Sequence, residues 1–145
     1  MKNMLKLFWI IALAVVISLS MTACGGDDDD PTLSELITLS QQDSEENHWV
    51  PKTTFSLKDQ LNIAIRGTSP DKTISRALIN FKKSGTVLFT DSRLNNHTLN
   101  DSSFTYYIGY WEASEGGLGN YTVDVYFEDG RGKRSNTMTA SFEVK

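Results

Sequence analysis

The chain has 145 residues and a formal net charge of −4, from 14 Lys and Arg against 18 Asp and Glu. This length suits one domain of ordinary size, and the acidic balance lacks the basic footprint of a nucleic-acid-binding protein. Because the composition is 39% hydrophobic and 10% aromatic, disorder throughout the chain is excluded. The single cysteine, Cys24, excludes an internal disulfide and a CxxC metal or redox site.

The N-terminus has the layout of an export signal. Lys2 and Lys6 form a positive flank, residues 7–17 are an unbroken apolar run, and small residues follow before Cys24. A transmembrane anchor is the alternative, but residues 7–23 only reach the lower limit for crossing a bilayer. A buried core helix fits less well, because the run has no polar face. We predict a signal peptide over residues 1–23, which is removed from the mature protein.

The four residues at the predicted cut site, Met21-Thr22-Ala23-Cys24, resemble the lipobox of bacterial lipoproteins. The resemblance implies diacylglyceryl transfer to the thiol of Cys24, cleavage between Ala23 and Cys24, and acylation of the new amino terminus by a fatty acid such as palmitate. Met21 departs from the leucine that is usual there. A soluble secreted protein and a retained signal anchor are the alternatives. The expected location is the bacterial cell envelope, on the periplasmic side or at the cell surface.

A short acidic segment follows the cysteine. Gly25 and Gly26 favour flexibility, the four adjacent carboxylates of residues 27–30 repel one another, and Pro31 stops any helix. We therefore predict that residues 24–31 form a hydrated tether. A calcium site is the alternative, but a flexible run without a closing turn cannot preorganise about six to eight oxygen ligands. We expect no metal and no cofactor.

From residue 32 onward, the dominant hydrophobic period is two. Leu61, Ile63 and Ile65 alternate with less apolar residues, which predicts a half-buried strand. Further strands are predicted over residues 33–39, 55–57, 74–81, 86–90 and 104–110, with a turn at 67–71 and a long loop at 91–103. Residues 33–37 have an ambiguous spacing, so a short helix is the alternative there.

The last 27 residues give the clearest pattern. Two alternating segments, residues 121–127 and 138–144, flank the turn signal Asp129-Gly130-Arg131-Gly132. Each segment has one apolar and one polar face, as expected of antiparallel strands that cover a core on one side. Seven or eight short strands with regular turn signals predict an all-β antiparallel sandwich over residues 32–145, and we expect it to be a monomer.

Residues 119–129 follow the pattern G-x-Y-x-V-x-V-x-x-x-D, which resembles the penultimate strand of immunoglobulin-like domains. The resemblance implies an immunoglobulin-like sandwich in which Tyr121 forms a tyrosine corner, with its ring in the core and its hydroxyl bonded back to the preceding loop. The chain departs from antibody domains in having no cysteine pair and no tryptophan that aligns with their buried one. The resemblance carries no function, because this architecture hosts many.

No motif of catalysis or metal binding stands out. His48 and His97 lie in polar segments almost 50 residues apart, whereas a zinc or catalytic site needs such groups to converge. The glycines of residues 116–119 lead into a strand rather than a helix, so a turn explains them better than a phosphate loop. Asp124 and Glu128 are expected to share the solvated face of one strand. We predict a protein that is not an enzyme.

Aromatic and basic residues are the candidates for binding. Tyr110 and Trp111 are neighbours on one predicted strand, so only one of them can face inward, and Trp49 lies in a predicted loop before a proline. Exposed rings near the loop 112–119 could stack on sugars or anchor a protein partner, although they could instead cover the second face of the sheet. The tip of the last hairpin offers three candidate anion contacts, for which solubility is the alternative: Arg131, Lys133 and Arg134.

These features predict a lipid-anchored envelope protein with a non-catalytic binding or structural domain. Its partners would be the membrane, through the lipid on Cys24, and an envelope protein or a glycan. A surface adhesin or glycan-binding module is the first alternative, which the aromatic and basic residues would serve. A small hydrolase or an enzyme inhibitor is the second, and a pocket with converging titratable groups would favour it.

Overall fold

The computed structural model of the protein describes residues 29–41 and 49–145, without the side chains of Gln41 and Tyr110. The predicted signal peptide, Cys24 and the first part of the predicted tether lie outside these residues. Most of the described chain is strand, and its helical segment is one short 3₁₀ helix at Ala113–Gly116. The strands are β1 (Thr32–Gln41), β2 (Trp49–Pro51), β3 (Thr54–Phe55), β4 (Gln60–Thr68), β5 (Thr73–Ile74), β6 (Arg76–Lys83), β7 (Thr86–Arg93), β8 (His97–Thr98), β9 (Ser103–Glu112), β10 (Gly119–Glu128) and β11 (Met138–Val144).

Two sheets form the sandwich. The first has the order β2-β1-β4-β9 and the second the order β3-β11-β10-β6-β7, while β5 and β8 form a separate two-stranded pair. Seven strands have seven or more residues, which confirms the predicted all-β sandwich of immunoglobulin-like type. One pairing departs from the antiparallel prediction, because β3 runs parallel to β11. The chain changes sheets there: Lys52 N–H bonds to Thr38 of the first sheet, and the carbonyl of Thr53 accepts from Glu143 of the second.

The core lies between the inner faces of the two sheets. Leu61, Ile63 and Ile65 are buried, as predicted, and they face the inward side chains of β10 and β6. Asn62 and Ala64 on the other face are also buried, so the middle of β4 is buried on both faces rather than half-buried. The partly buried Met138 and Ala140 pack against the same core. The second sheet contributes these buried residues to the core: Phe55, Ala77, Ile79, Phe81, Tyr121, Val123, Val125, Phe127, Phe142 and Val144.

Three local predictions need correction or resolution. The ambiguous segment 33–37 is strand throughout, not helix. Trp49 lies in the short strand β2 rather than in a loop, because its backbone pairs with the end of β1. Residues 91–103 are not one loop, since β7 continues to Arg93 and β8 follows. The extension escaped prediction because Asp91 and Arg93 pair with buried residues of β6, so polar side chains occupy the inward positions.

The tyrosine corner and the Asp-Gly turn are present. Tyr121 is 5% exposed, and its hydroxyl donates to the carbonyl of Gly117 at 2.6 Å. Gly132 N–H donates to the carbonyl of Asp129 at 3.0 Å, which closes the predicted turn. The connection between β10 and β11 is longer than a tight hairpin and covers residues 129–137, which we call the basic connection. Gly130 in it is required by packing, because a Cβ there would lie 2.5 Å from Thr73 Oγ1.

The strand directions define two ends of the sandwich. β1 begins and β10 ends at one end, which also holds the segments 69–73 and 94–102 and the basic connection. We call it the tether end. The opposite end holds the turn at 84–85, the segment 56–59 and the loop 113–118, and we call it the far end.

Candidate binding surfaces

The basic connection is organised around one buried carboxylate. Asp129 is fully buried, and its Oδ1 accepts hydrogen bonds from the backbone N–H groups of Arg131 at 2.9 Å and Lys133 at 2.8 Å. Its Oδ2 accepts from Arg131 Nε, also at 2.9 Å. A buried carboxylate is tolerated when it is paired and hydrogen-bonded in this way. Asp129 therefore holds both the backbone of the turn and the guanidinium of Arg131.

The last residues of the predicted tether bind to this connection. Arg131 Nη2 donates to the carbonyl of Asp29 at 2.5 Å, and Lys133 Nζ lies 2.7 Å from Asp30 Oδ1. That hydrogen bond raises the pKa of Lys133 above its ordinary value. The start of β1 is held in the same place, because the side-chain amide of Asn136 bonds both the N–H and the carbonyl of Leu33, at 2.6 and 3.0 Å.

The three predicted anion contacts are brought together at the tether end, but each already has partners. Arg131 pairs with Asp129, and Lys133 pairs with Asp30. The guanidinium of Arg134 lies 3.4 Å from the ring centroid of Tyr126 and donates to Thr137 Oγ1 at 3.1 Å. Their charges are thus largely engaged within the domain.

The three aromatic candidates are not brought together. The register places Trp49 on the outer face of the first sheet, where it is half-buried, and Trp111 on the inner face. Trp111 is 6% exposed and packs edge-to-face on Phe81, with 4.9 Å between ring centroids. Tyr110 is described only by its backbone, which pairs with Asn62 of β4. The predicted lipid and cleavage residues, Cys24 and Ala23, lie outside the described residues.

Trp111 and a charged pair close the open side of the sandwich between β7 and β9. The indole Nε1 donates to Asp91 Oδ2 at 3.1 Å, and Arg93 Nε donates to the same oxygen at 2.8 Å. The guanidinium of Arg93 also lies 5.4 Å from the Trp111 ring centroid. Inward-pointing charges of this kind protect an edge strand against pairing with another chain.

A small apolar cavity opens beside Trp111 at the far end, and we call it the far-end cleft. Its volume is about 30 Å³, Phe81 and Trp111 line it on the core side, and Leu88 of β7 lines it at the surface. The segment Ala113–Gly116 lies over it. Lys83 Nζ donates to the carbonyl of Gly116 at 2.9 Å and fastens this segment to the second sheet.

Exposed leucines concentrate at the same end. Leu57 is 43% exposed, Leu88 46% and Leu118 58%, and all three belong to far-end loops or to the far-end part of β7. The sequence did not single out these residues, because nothing in the local pattern distinguishes an exposed leucine from a core one. The predicted proximity of a binding site to the loop 112–119 remains a prediction.

On the outer face of the second sheet, charged side chains of neighbouring strands form ion pairs. Asp124 accepts from Lys82 and, at 2.6 Å, from Thr139; burial acts to raise the pKa of Asp124, but these hydrogen bonds outweigh it and lower the pKa. Glu128 accepts two hydrogen bonds from Arg76, at 2.7 and 3.1 Å, which lower its pKa. The two carboxylates share this face, as the alternation predicts.

Within residues 29–41 and 49–145, no cluster of three or more His, Cys, Asp or Glu side chains is arranged to hold a metal ion. The same part of the chain contains no helix with the length and apolar content needed to cross a membrane.

Comparison with known proteins gives neighbours in structure alone. No protein-family model matches the sequence, and no curated protein matches it. The soluble domain of PmoD from a Methylocystis species is similar in structure over 83% of this chain and all of its own, with 9% identity and a TM-score of 0.42. An engineered protein is similar over 76% of this chain and 20% of its own, with 12% identity and a TM-score of 0.36.

Proposed function

We propose that this chain is a lipoprotein of the bacterial envelope, anchored through acyl chains on Cys24, whose immunoglobulin-like domain binds a partner without catalysing a reaction. The observation that carries the proposal is the attachment of Asp29 and Asp30 to the basic connection. This attachment connects the segment that follows the predicted lipobox to one end of the sandwich. It thereby defines which end of the domain lies next to the proposed anchor.

Chain length then limits how far the tether end can be from the lipid. Four residues lie between Cys24 and Asp29, so the five steps from one Cα atom to the other span about 18 Å at full extension. β10 has ten residues and runs from the far end to the tether end, so the far end lies about 30 Å beyond the tether end. An anchored domain would therefore stand with its basic connection toward the membrane and its far end toward the aqueous compartment.

Binding is favoured over chemistry by where the charged groups lie. The carboxylates Asp124 and Glu128 form ion pairs on an outer sheet face, and Asp129 pairs with Arg131 in the turn at the tether end. The far-end cleft is lined mostly by apolar side chains. Exposed apolar residues beside an apolar cavity are typical of interaction sites.

The lipid anchor is tested by the variant Cys24→Ser in a bacterial host. We expect this variant to remain an unprocessed precursor that takes up no labelled palmitate, because no thiol accepts the diacylglyceryl group. Met21→Leu is the matched control, since it restores the usual lipobox residue and should be processed and labelled like the parent. Normal labelling of the Cys24→Ser variant, or a parent protein that retains residues 1–23, would contradict the proposal.

A further inference from the structure

The far end differs from the tether end in its surface chemistry. The tether end is covered by polar and charged side chains that bond one another around Asp129 and Asp71. Leu57, Leu88 and Leu118, by contrast, place large aliphatic side chains in solvent at the far end. In the proposed orientation, the tether end faces the membrane. This apolar surface would then face other envelope components.

The far-end cleft provides a site for one apolar group within that surface. A cavity of about 30 Å³ holds one water or one methyl-sized group. A water needs about two to four polar partners, and the lining around Phe81, Trp111 and Leu88 is almost entirely apolar. The end of an aliphatic side chain therefore fits the cavity better than a water molecule does.

Charge at the cleft favours a cationic neighbour for that side chain. The two charged residues among those lining the cavity are both acidic, Glu112 and Glu115. Lys83 lies beside the cavity as well, but its Nζ is bound to the carbonyl of Gly116 and lies 5.3 Å from the Tyr121 ring centroid. Glu112 accepts a hydrogen bond from Gln60 at 3.2 Å, whereas Glu115 has no hydrogen bond or ion pair to any residue in the described part of the chain. The carboxylate of Glu115 is thus available to a Lys or Arg of a partner.

The segment over the cleft is fastened to the second sheet. Gly117 follows the 3₁₀ helix with φ = 69°, a conformation that glycine adopts without strain. Two side-chain hydrogen bonds fasten this segment from the second sheet, from Lys83 to Gly116 and from Tyr121 to Gly117.

We propose that the far-end cleft docks a polypeptide partner by receiving one aliphatic side chain, with an adjacent Lys or Arg of the partner pairing with Glu115. The proposal deepens the proposed function and rests on it only for the compartment in which the partner is found. A peptide is favoured over a glycan, because a small apolar cavity with acidic groups at its edge fits leucine beside lysine and offers a sugar ring no open aromatic face.

The test is a titration followed by NMR, with the full lipid-anchored chain in phosphatidylcholine nanodiscs. The probe is a short amidated peptide that has one leucine between two lysines in a glycine-serine frame. Two further peptides replace the leucine by serine or the lysines by glutamates. We expect the leucine-lysine peptide to shift the indole N–H signal of Trp111 but not that of Trp49, and the other two to bind at least tenfold more weakly.

Variants of the protein then locate the site. Leu88→Ser should weaken binding of the leucine-lysine peptide at least tenfold. The matched control is Val87→Ser, because Val87 is 52% exposed but does not line the cleft, and this variant should bind the peptide like the parent. Glu115→Gln should weaken binding several-fold and reduce its dependence on salt. Both Leu88 and Glu115 are exposed, so these variants should fold.

Four results would overturn the docking proposal: no shift of Trp111 at millimolar peptide, equal binding of the glutamate peptide, equal loss in the Val87→Ser control, or a shift caused by chitotriose and not by the peptide. The last result would assign the cleft to a glycan. The titration measures binding at Trp111 and can equally be run on the unacylated chain in solution, so a failure of the lipid-anchor test would leave it intact, and the reverse also holds.

Discussion

Truncating Phe127 tests the packing of the sandwich most severely. Phe127 has no exposed surface, and its ring packs edge-to-face on Phe104 across the two sheets, with 5.3 Å between centroids. Its backbone bonds to Ser135 do not involve the ring, so Phe127→Ala removes packing and leaves the ladder intact. We expect a loss of about 3–5 kcal/mol in the free energy of unfolding, of which the aromatic pair supplies about 0.5–1.5 kcal/mol.

Tyr126→Ala is the matched control on the same strand. Tyr126 faces outward, is half-buried and contacts the guanidinium of Arg134, so its truncation should cost about 0.5–1 kcal/mol. Urea unfolding at pH 7, followed by tryptophan fluorescence and linear extrapolation, measures both variants. A cost below 1 kcal/mol for Phe127→Ala, or a larger cost for the control, would mean that the two faces of β10 are exchanged.

Three further substitutions test individual contacts. Tyr121→Phe removes the bond to Gly117 and should lower the free energy of unfolding by about 1 kcal/mol, with faster hydrogen exchange in the far-end loop. The pKa of Asp124 is lowered, so its pairing with Lys82 stabilises the fold above about pH 4 and is lost as the pH falls through the folded-state pKa. Asp124→Asn should therefore lower the free energy of unfolding by about 1 kcal/mol at pH 7 and by almost nothing near pH 2. An equal loss at both pH values would contradict a stabilising role of the ionised carboxylate. Asp129→Asn should lower the free energy of unfolding in urea by about 1–3 kcal/mol, because one of the two buried oxygens that accept hydrogen bonds is replaced by an amide NH2 that cannot accept; an unchanged free energy of unfolding would refute its role.

The parts of the fold that the sequence predicts well are those where local pattern and tertiary environment agree. β10 and β11 alternate strictly because one face meets the core and the other meets water. The inward ring of Tyr121 was predictable for the same reason, whereas the bond from its hydroxyl to the preceding loop was implied only by the resemblance to immunoglobulin-like domains.

The segments that were missed depend on partners far away in sequence. Asp91 and Arg93 point inward, so the end of β7 has no apolar alternation, and their stabilisation comes partly from Trp111 on the other sheet. Trp49 belongs to a three-residue strand that pairing with β1 creates. Neither arrangement leaves a signal in a short sequence window.

The candidate binding surfaces divide in a similar way. The sequence indicated the region around Trp111 and the loop 112–119, but it could not indicate that the indole lies beneath the surface with a cavity beside it. The exposure of Leu118 is also a tertiary property. The pairing of Lys133 with Asp30 joins residues 103 positions apart, so a basic segment and an acidic segment could each be recognised, but not their contact.

The proposed orientation of an anchored domain can be measured directly by energy transfer. A single donor dye is attached to cysteine variants Gly132→Cys at the tether end or Gly85→Cys at the far end. The proposed acylation of Cys24 would leave its thiol unavailable to the dye. Both glycines lie in turns where a Cβ meets no other atom within 4 Å, although their positive φ values add local strain in each variant. The acceptor is a lipid-headgroup dye in nanodiscs. We predict strong transfer from position 132 and weak transfer from position 85, whose distance from the membrane should be about 30 Å greater. Equal transfer from the two positions, or stronger transfer from position 85, would contradict a domain that stands on its basic connection.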